Sequence, residues 1–283
     1  MRSKLTRLLI PIFITIVFAL GCGTDYREVR LAYKFHPGKT YTYEYKTDIS
    51  SNTYEDGALT SSDKRTYRLL YDQEILEAMD HDRGRIKYTY TLKEPPAGPV
   101  NITGTDTAAA SWSNECIMAN DGSIVEFASD SSATPGSADY YRRLFEQASP
   151  MYPDEPVKEG FVWSHTVRVV TDDGLTDATT TYKIKSFVRS GEHDCAVIEY
   201  RGNMLIPLEK SCPDEITAIQ SGMDKIEVEG VAYFAYTEGI ILREEESSHL
   251  VREATIIQDG EPIELKIDEI RTYTNHLTDI SQP

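Results

Sequence analysis

Side-chain alternation with a period of two restricts the fold of this chain more than any other feature. Thr40 to Lys46 puts Tyr41, Tyr43 and Tyr45 on one face and Thr42, Glu44 and Lys46 on the other; Arg85 to Lys93 repeats the pattern with Ile86, Tyr88, Tyr90 and Leu92. Such a segment buries one face only as a β-strand, because a helix would spread the same residues around its circumference. Turn-forming runs punctuate the pattern at Pro37-Gly38-Lys39, Asp56-Gly57, Asp80 to Gly84, Asn120-Asp121-Gly122 and Asp172-Asp173-Gly174. Between them strands are expected at Val29 to Phe35, Thr66 to Met79, Trp112 to Ala119, Ser123 to Phe127, Val162 to Thr171, Thr179 to Val188, Cys195 to Tyr200 and Asn203 to Leu208. Ile226 to Tyr236, Ile240 to Glu246 and Ile263 to Ile270 supply the last ones.

The period changes in two places. Tyr141, Leu144, Phe145 and Ala148 share one helical face, with Ser137 as the cap and Pro150 past the end. Pro213 to Ile219 reads as a second, short helix. The expected fold class is therefore mainly β: a large curved antiparallel sheet, half-barrel or sandwich-like, with one or two covering helices. Two echoes also suggest related halves. Gly38-Lys39-Thr40-Tyr41 parallels Gly160-Phe161-Val162-Trp163, and Asp121-Gly122-Ser123-Ile124 parallels Glu238-Gly239-Ile240-Ile241. The corresponding division is 29–150 and 151–283 within a single β-rich domain, 29–283, although two short matches in a strand-rich chain also arise by chance.

Arg2, Lys4 and Arg7 precede an uncharged run, Leu8 to Leu20, of 13 residues. That is about two thirds of the ~20 residues needed to span a bilayer, so residues 1–21 read as an export signal and not as an anchor helix. The run ends Ala19-Leu20-Gly21-Cys22, which resembles the lipobox of bacterial lipoproteins. The resemblance implies that Cys22 becomes the lipidated first residue, with 22–28 as a tether. Removing residues 1–21 takes away three basic and no acidic residues, which moves the net charge from −17 to −20. Nucleic acid is a poor partner for so acidic a body.

Among the other cysteines, Cys116, Cys195 and Cys212, at most one bridge can form. Cys195 and Cys212 are the candidate disulfide, with buried free thiols as the alternative. No C-x-x-C and no closely spaced histidine pair is present, so no metal site is expected. Signatures such as G-x-S-x-G, H-E-x-x-H and G-x-x-x-x-G-K are absent, and neither a catalytic residue nor a cofactor is assigned. The tyrosine ladder at Tyr41, Tyr43 and Tyr45 invites sugar stacking, but packing is the simpler account. Glu244, Glu245 and Glu246 form the densest acidic run, next to Ser247, Ser248 and His249; a solvated face is the expectation there.

Tyr33-Lys34-Phe35-His36-Pro37-Gly38-Lys39-Thr40-Tyr41, Pro156-Val157-Lys158-Glu159-Gly160-Phe161-Val162-Trp163 and Tyr236-Thr237-Glu238-Gly239-Ile240 together resemble an uncharacterised family of exported bacterial lipoproteins. Architecturally the pattern is also similar to half-barrels of the LolA and LppX type, which hold lipid in a concave apolar face. These resemblances imply a non-catalytic protein of the bacterial cell envelope, on its periplasmic or extracellular side. It would be held to the membrane through Cys22 and would bind an apolar or amphipathic ligand, or an envelope protein partner, on its curved sheet. The alternative is an envelope hydrolase acting on glycan or peptide through acidic residues that meet only in the fold.

Overall fold

The computed structural model describes residues 27–94, 111–129, 142, 150–171, 174–208, 217–258 and 260–282. Eleven strands follow one another among these described residues: β1 Thr40–Glu55, β2 Ala58–Met79, β3 Arg83–Glu94, β4 Ser111–Ala119, β5 Ile124–Ser129 and β6 Val162–Thr171. The remainder are β7 Gly174–Ser190, β8 His193–Leu208, β9 Thr217–Ala235, β10 Ile240–Gln258 and β11 Glu261–Ser281. All join one antiparallel sheet in the order β5-β4-β3-β2-β1-β11-β10-β9-β8-β7-β6. The sheet is open, with β5 and β6 at its two edges, and its middle seam is the pairing of β1 with β11 along the whole of β1.

This architecture corrects the expected fold class in one respect. Among the described residues no helix covers the sheet; its cover is made of two extended straps, residues 27–39 and 150–161. Val29 to Phe35, expected as a sheet strand, belongs to the first strap, where an isolated bridge joins Val29 to Val157 of the second. Each of these two valines donates to the other's carbonyl, at 2.9 and 2.8 Å. Of the short helix expected at Pro213 to Ile219, Thr217 to Ile219 are the first residues of β9 and the rest lies outside the described residues. The helix expected after Ser137 also lies outside them, apart from Arg142.

The straps decide where the core sits. Leu31, Tyr152 and Val157 bury against Tyr182, Ile184, Ala196, Ile198, Ala232 and Phe234, on the side of the sheet that we call inner. Across the seam Tyr33 and Phe35 of the first strap pack on Tyr41, Ile75, Ile86 and Met118. A glycine is required at position 84, because a Cβ there would overlap the Phe35 ring. At the far end of the inner face, Leu208, Ala254 and Ile256 form a small satellite core with Ile219, Ile263 and Leu265.

The sequence echo at Gly38 and Gly160 has a counterpart in backbone geometry. Gly38 donates to Ile75, Ile75 donates back to Lys39, and Lys39 donates to His36; Gly160, Ile184, Phe161 and Lys158 repeat the same three bonds. Both glycines have positive φ, 80° and 81°. Ile75 then pairs with Ile86 and Ile184 with Ile198, each just before a register shift. The two straps thus enter the sheet through turns with the same three bonds, at β1 and at β6, and β11 lies between β1 and β10.

The strap packing sets an expected energy scale. Truncating a buried leucine removes apolar contacts and leaves a cavity, at a cost of about 2–5 kcal/mol. Leu31→Ala is expected to lower stability by that amount in urea unfolding. Leu59→Ala, at a position 58% exposed near the β1–β2 turn, is expected to change it by less than about 0.5 kcal/mol.

Candidate functional site

On the inner face the strand register brings aromatic residues side by side. Trp163, Tyr182, Tyr200, Gly230, Glu246, Tyr273 and Thr47 are successive cross-strand neighbours from β6 to β1. Tyr43, Tyr71, Tyr90 and Trp112 form a second row, from β1 to β4. Rings touch within the rows, Trp163 to Tyr182 at 5.2 Å, Tyr43 to Tyr71 at 4.9 Å and Tyr90 to Trp112 at 5.2 Å between centroids, and Tyr45 of β1 stacks diagonally on Tyr273 at 5.2 Å. Such offset contacts are favoured by the ring quadrupole, beyond the area they bury.

Gly230 is the gap in the first row. A Cβ at that position would overlap the Tyr200 ring, so the absence of a side chain lets Tyr200 lie across β9 and reach β10. Its hydroxyl lies 2.9 Å from Glu244 Oε1, 3.0 Å from Glu246 Oε2 and 3.3 Å from the Tyr273 hydroxyl, which itself donates to Glu246 at 3.3 Å. Beside them Asn275, directly opposite Glu244 on β11, donates from Nδ2 to the Tyr71 hydroxyl at 2.8 Å. Asn275 Oδ1 is buried and has no hydrogen-bond partner.

Glu244, Glu246, Tyr273, Asn275 and Tyr71 form one wall of a cavity of about 620 Å3 between the sheet and the straps. Tyrosine rings supply much of its lining, including Tyr33 of the first strap, and Leu69, Met118 and Ile241 add aliphatic surface. A larger concavity of about 820 Å3 lies mostly against the outer face. Charged groups there pair with one another, as Arg201 does with Glu229 at 3.9 Å, or with neighbours, as Glu199 does with Lys185 at 2.6 Å and Glu245 with Arg243.

Burial dominates the electrostatics of the wall. It pushes the Glu244 carboxyl up from 4.5 to about 7; the neighbouring Glu246 charge adds to the rise, while the hydroxyls of Tyr200 and Tyr273 oppose it. Glu246 is raised too, again chiefly by burial. The hydrogen count agrees with a carboxyl that keeps its proton. Tyr200 has one hydrogen and cannot donate to both carboxylates, so two short contacts to its oxygen are satisfied together when one carboxyl is itself a donor.

The expectation of a solvated acidic run is therefore corrected. Alternation holds, with Glu245 on the outer face in an ion pair with Arg243, but Glu244 is 7% exposed. Sequence reasoning missed the site because Glu244 and Glu246 look like ordinary strand polar residues until Tyr200 and Tyr273, far away in the chain, are folded over them. Ser247 and His249 do not join the carboxylates: His249 pairs with Asp268 at 2.9 Å, and neither lies on the inner face. Among the described residues no group of three metal-ligating side chains is present.

Cys22 and Cys212 lie outside the described residues. Cys195 is fully buried near the start of β8, while Cys212 follows the strand's last residue, Leu208. At ~3.3 Å per residue the strand separates Cys195 from Leu208 by roughly 40 Å, against a Cα distance of about 7 Å at most in a disulfide. Peptide mapping without reduction is expected to recover the Cys195 and Cys212 peptides unlinked; a linked pair would mean that β8 does not run as described.

No family model matches the chain, and no curated protein matches it. Among solved structures it is similar to lipovitellin, in a structure concerned with lipid–protein interactions, with 12% identity and a TM-score of 0.45 over 88% of this chain. This chain spans about a quarter of lipovitellin, 26% of that chain. It is also similar to a protein described as exported, with a YmcC-like fold, from Bacteroides fragilis, at 15% identity and a TM-score of 0.34, over 89% of this chain and 100% of that one. Both likenesses are distant. The resemblance to exported lipoproteins stands on the sequence motifs alone.

The raised Glu244 carboxyl makes a signed prediction. Between its unfolded value of 4.5 and its folded value of about 7, the native state holds the extra proton. The stability this contributes is full below about pH 4.5 and is lost as pH rises through 7, by an amount on the order of 3 kcal/mol. Glu244→Gln keeps the shape and removes the charge. The variant is expected to be about 2–3 kcal/mol more stable than the parent at pH 8 and close to it at pH 5, as measured by urea unfolding.

Proposed function

We propose that the protein is a non-catalytic, lipid-anchored protein of the bacterial envelope that holds an apolar or amphipathic molecule on the inner face of its sheet. The observation that carries this reading is the cavity itself. The far end of the inner face is filled by its own side chains, whereas the space beside Tyr33, Tyr71 and Met118 is left open under the straps. Aromatic and aliphatic walls with a few fixed polar groups are the usual composition of a small-molecule site.

Anchoring through Cys22 is supported by the Ala19-Leu20-Gly21-Cys22 motif and by the acidic body that follows. No helix among the described residues is long and apolar enough to cross a membrane. Two or more acyl chains on Cys22 would give stable attachment at about 0.8 kcal/mol per buried methylene. Cys22→Ser is expected to release the protein from the membrane fraction of lysed cells; unchanged retention would contradict the anchor.

Ligand uptake is tested separately on the chain from residue 23 onward. Solvent extraction is expected to yield a bound amphiphile, and the neutral probe N-phenyl-1-naphthylamine is expected to brighten on binding. Leu69→Trp, which fills the cavity, should reduce that signal at least fivefold. Absence of both an extractable molecule and a probe response would overturn the reading.

The second reading, an envelope hydrolase acting on glycan or peptide, draws on the raised carboxyls of Glu244 and Glu246. A glycosidase places two carboxyl groups on either side of the scissile bond. Here both belong to one strand and face one phenol, so the Tyr200 hydroxyl occupies the space between them that a substrate would need. Binding fits this arrangement better than hydrolysis.

A further inference from the structure

We infer that the polar end of the ligand is a primary ammonium group, accepted by Glu244, Glu246 and the Asn275 side-chain carbonyl, an assignment that rests on reading this cavity as the ligand site. Three observations on one wall carry it. Glu244 and Glu246 receive hydrogen bonds from hydroxyls only, and among the described residues neither has an ionic partner. Arg271, the cation on the cavity lining, is engaged with Glu269 at 2.5 Å, and its side chain is 55% exposed. Asn275, 93% buried by its 7% exposure, presents Oδ1 with nothing to accept from.

The missing chemistry is defined by what these atoms lack. A buried carboxylate without a counter-charge is costly, and so is a buried acceptor without a donor. A primary ammonium supplies one positive charge and three N–H donors, matching the carboxylates and Oδ1 together. A neutral sugar would bring donors and leave the charge uncompensated. A quaternary ammonium would bring charge and leave Oδ1 unpaired. A calcium ion takes six to eight oxygen ligands, and among the described residues no group of three metal-ligating side chains gathers here. The tyrosine faces suit the ammonium as well, since a cation over an aromatic ring is attracted by its quadrupole.

The cavity also sets the rest of the molecule. Leu69, Met118, Ile240 and Ile241 line it beyond the carboxylates, so the group that bears the nitrogen is apolar. An alkylammonium, and not a polyhydroxylated amine, is the class that meets both halves of the lining.

Isothermal titration of the lipidated full chain in nanodiscs at pH 8, with empty nanodiscs subtracted, tests this with n-hexylammonium chloride, hexan-1-ol and sodium hexanoate. Hexylammonium is expected to bind once per chain, and the alcohol and the carboxylate at least tenfold more weakly. Glu244→Gln and, independently, Glu246→Gln should each weaken hexylammonium at least tenfold and leave hexanol unchanged, with unfolding curves showing that both variants are folded. Equal binding of hexanol and hexylammonium would overturn the ammonium assignment and leave the apolar-ligand reading standing. Failure of all three probes would overturn the assignment as well, whereas an extracted amphiphile or a response to N-phenyl-1-naphthylamine in that case would leave the apolar-ligand reading standing.

Discussion

The two backbone hydrogen bonds between Val29 and Val157 tie together the only cover that the described inner face possesses. An open antiparallel sheet with one apolar face must place something on that face, because a single layer buries too little surface to be stable. Here the cover is two extended straps, each leading into a glycine turn that hands the chain to the sheet. Straps are thinner than helices and fill less volume. That difference leaves a cavity under Tyr33 where a helix would have made a solid core.

The repeated turn geometry explains how a chain of this size builds such a wide sheet. Each strap turns at a positive-φ glycine and leads into strands laid down as a meander. β11 joins the two meanders by pairing with β1 on one side and β10 on the other. Because β1 pairs with β11 over its full length, stability of the middle depends on the first and last described strands meeting. The edges are left to β6 and to β5, and β5 has only six residues, which limits the backbone it offers to other chains.

Much of this was legible in the sequence, and the exceptions have physical causes. Hairpins at Asp80 to Gly84 and Asn120 to Gly122 follow from turn chemistry, and both are observed between paired strands. Strand lengths were underestimated: β1 continues to Glu55 through Ser50, Ser51 and Asn52, which carry no apolar alternation and are held by pairing on both sides. Cys195 to Tyr200 and Asn203 to Leu208 are one strand, since Gly202 interrupts the side-chain pattern without interrupting the hydrogen bonds. Val29 to Phe35 has the composition of a strand, but beyond the bridge at Val29 it joins no ladder, and no local signal says that it crosses the sheet face. The site was hidden for a different reason: Glu244 is buried by Tyr200, a residue 44 positions away that reaches it only because position 230 is glycine.

The account depends on a carboxyl that holds its proton until a cation replaces it. Infrared difference spectroscopy of the full chain tests this most directly. At pH 6 the account predicts a protonated-carboxyl stretch that weakens in Glu244→Gln and disappears from the parent protein when hexylammonium is added at the same pH. A spectrum without that band, or a band that persists unchanged in the ammonium-saturated protein, would contradict it.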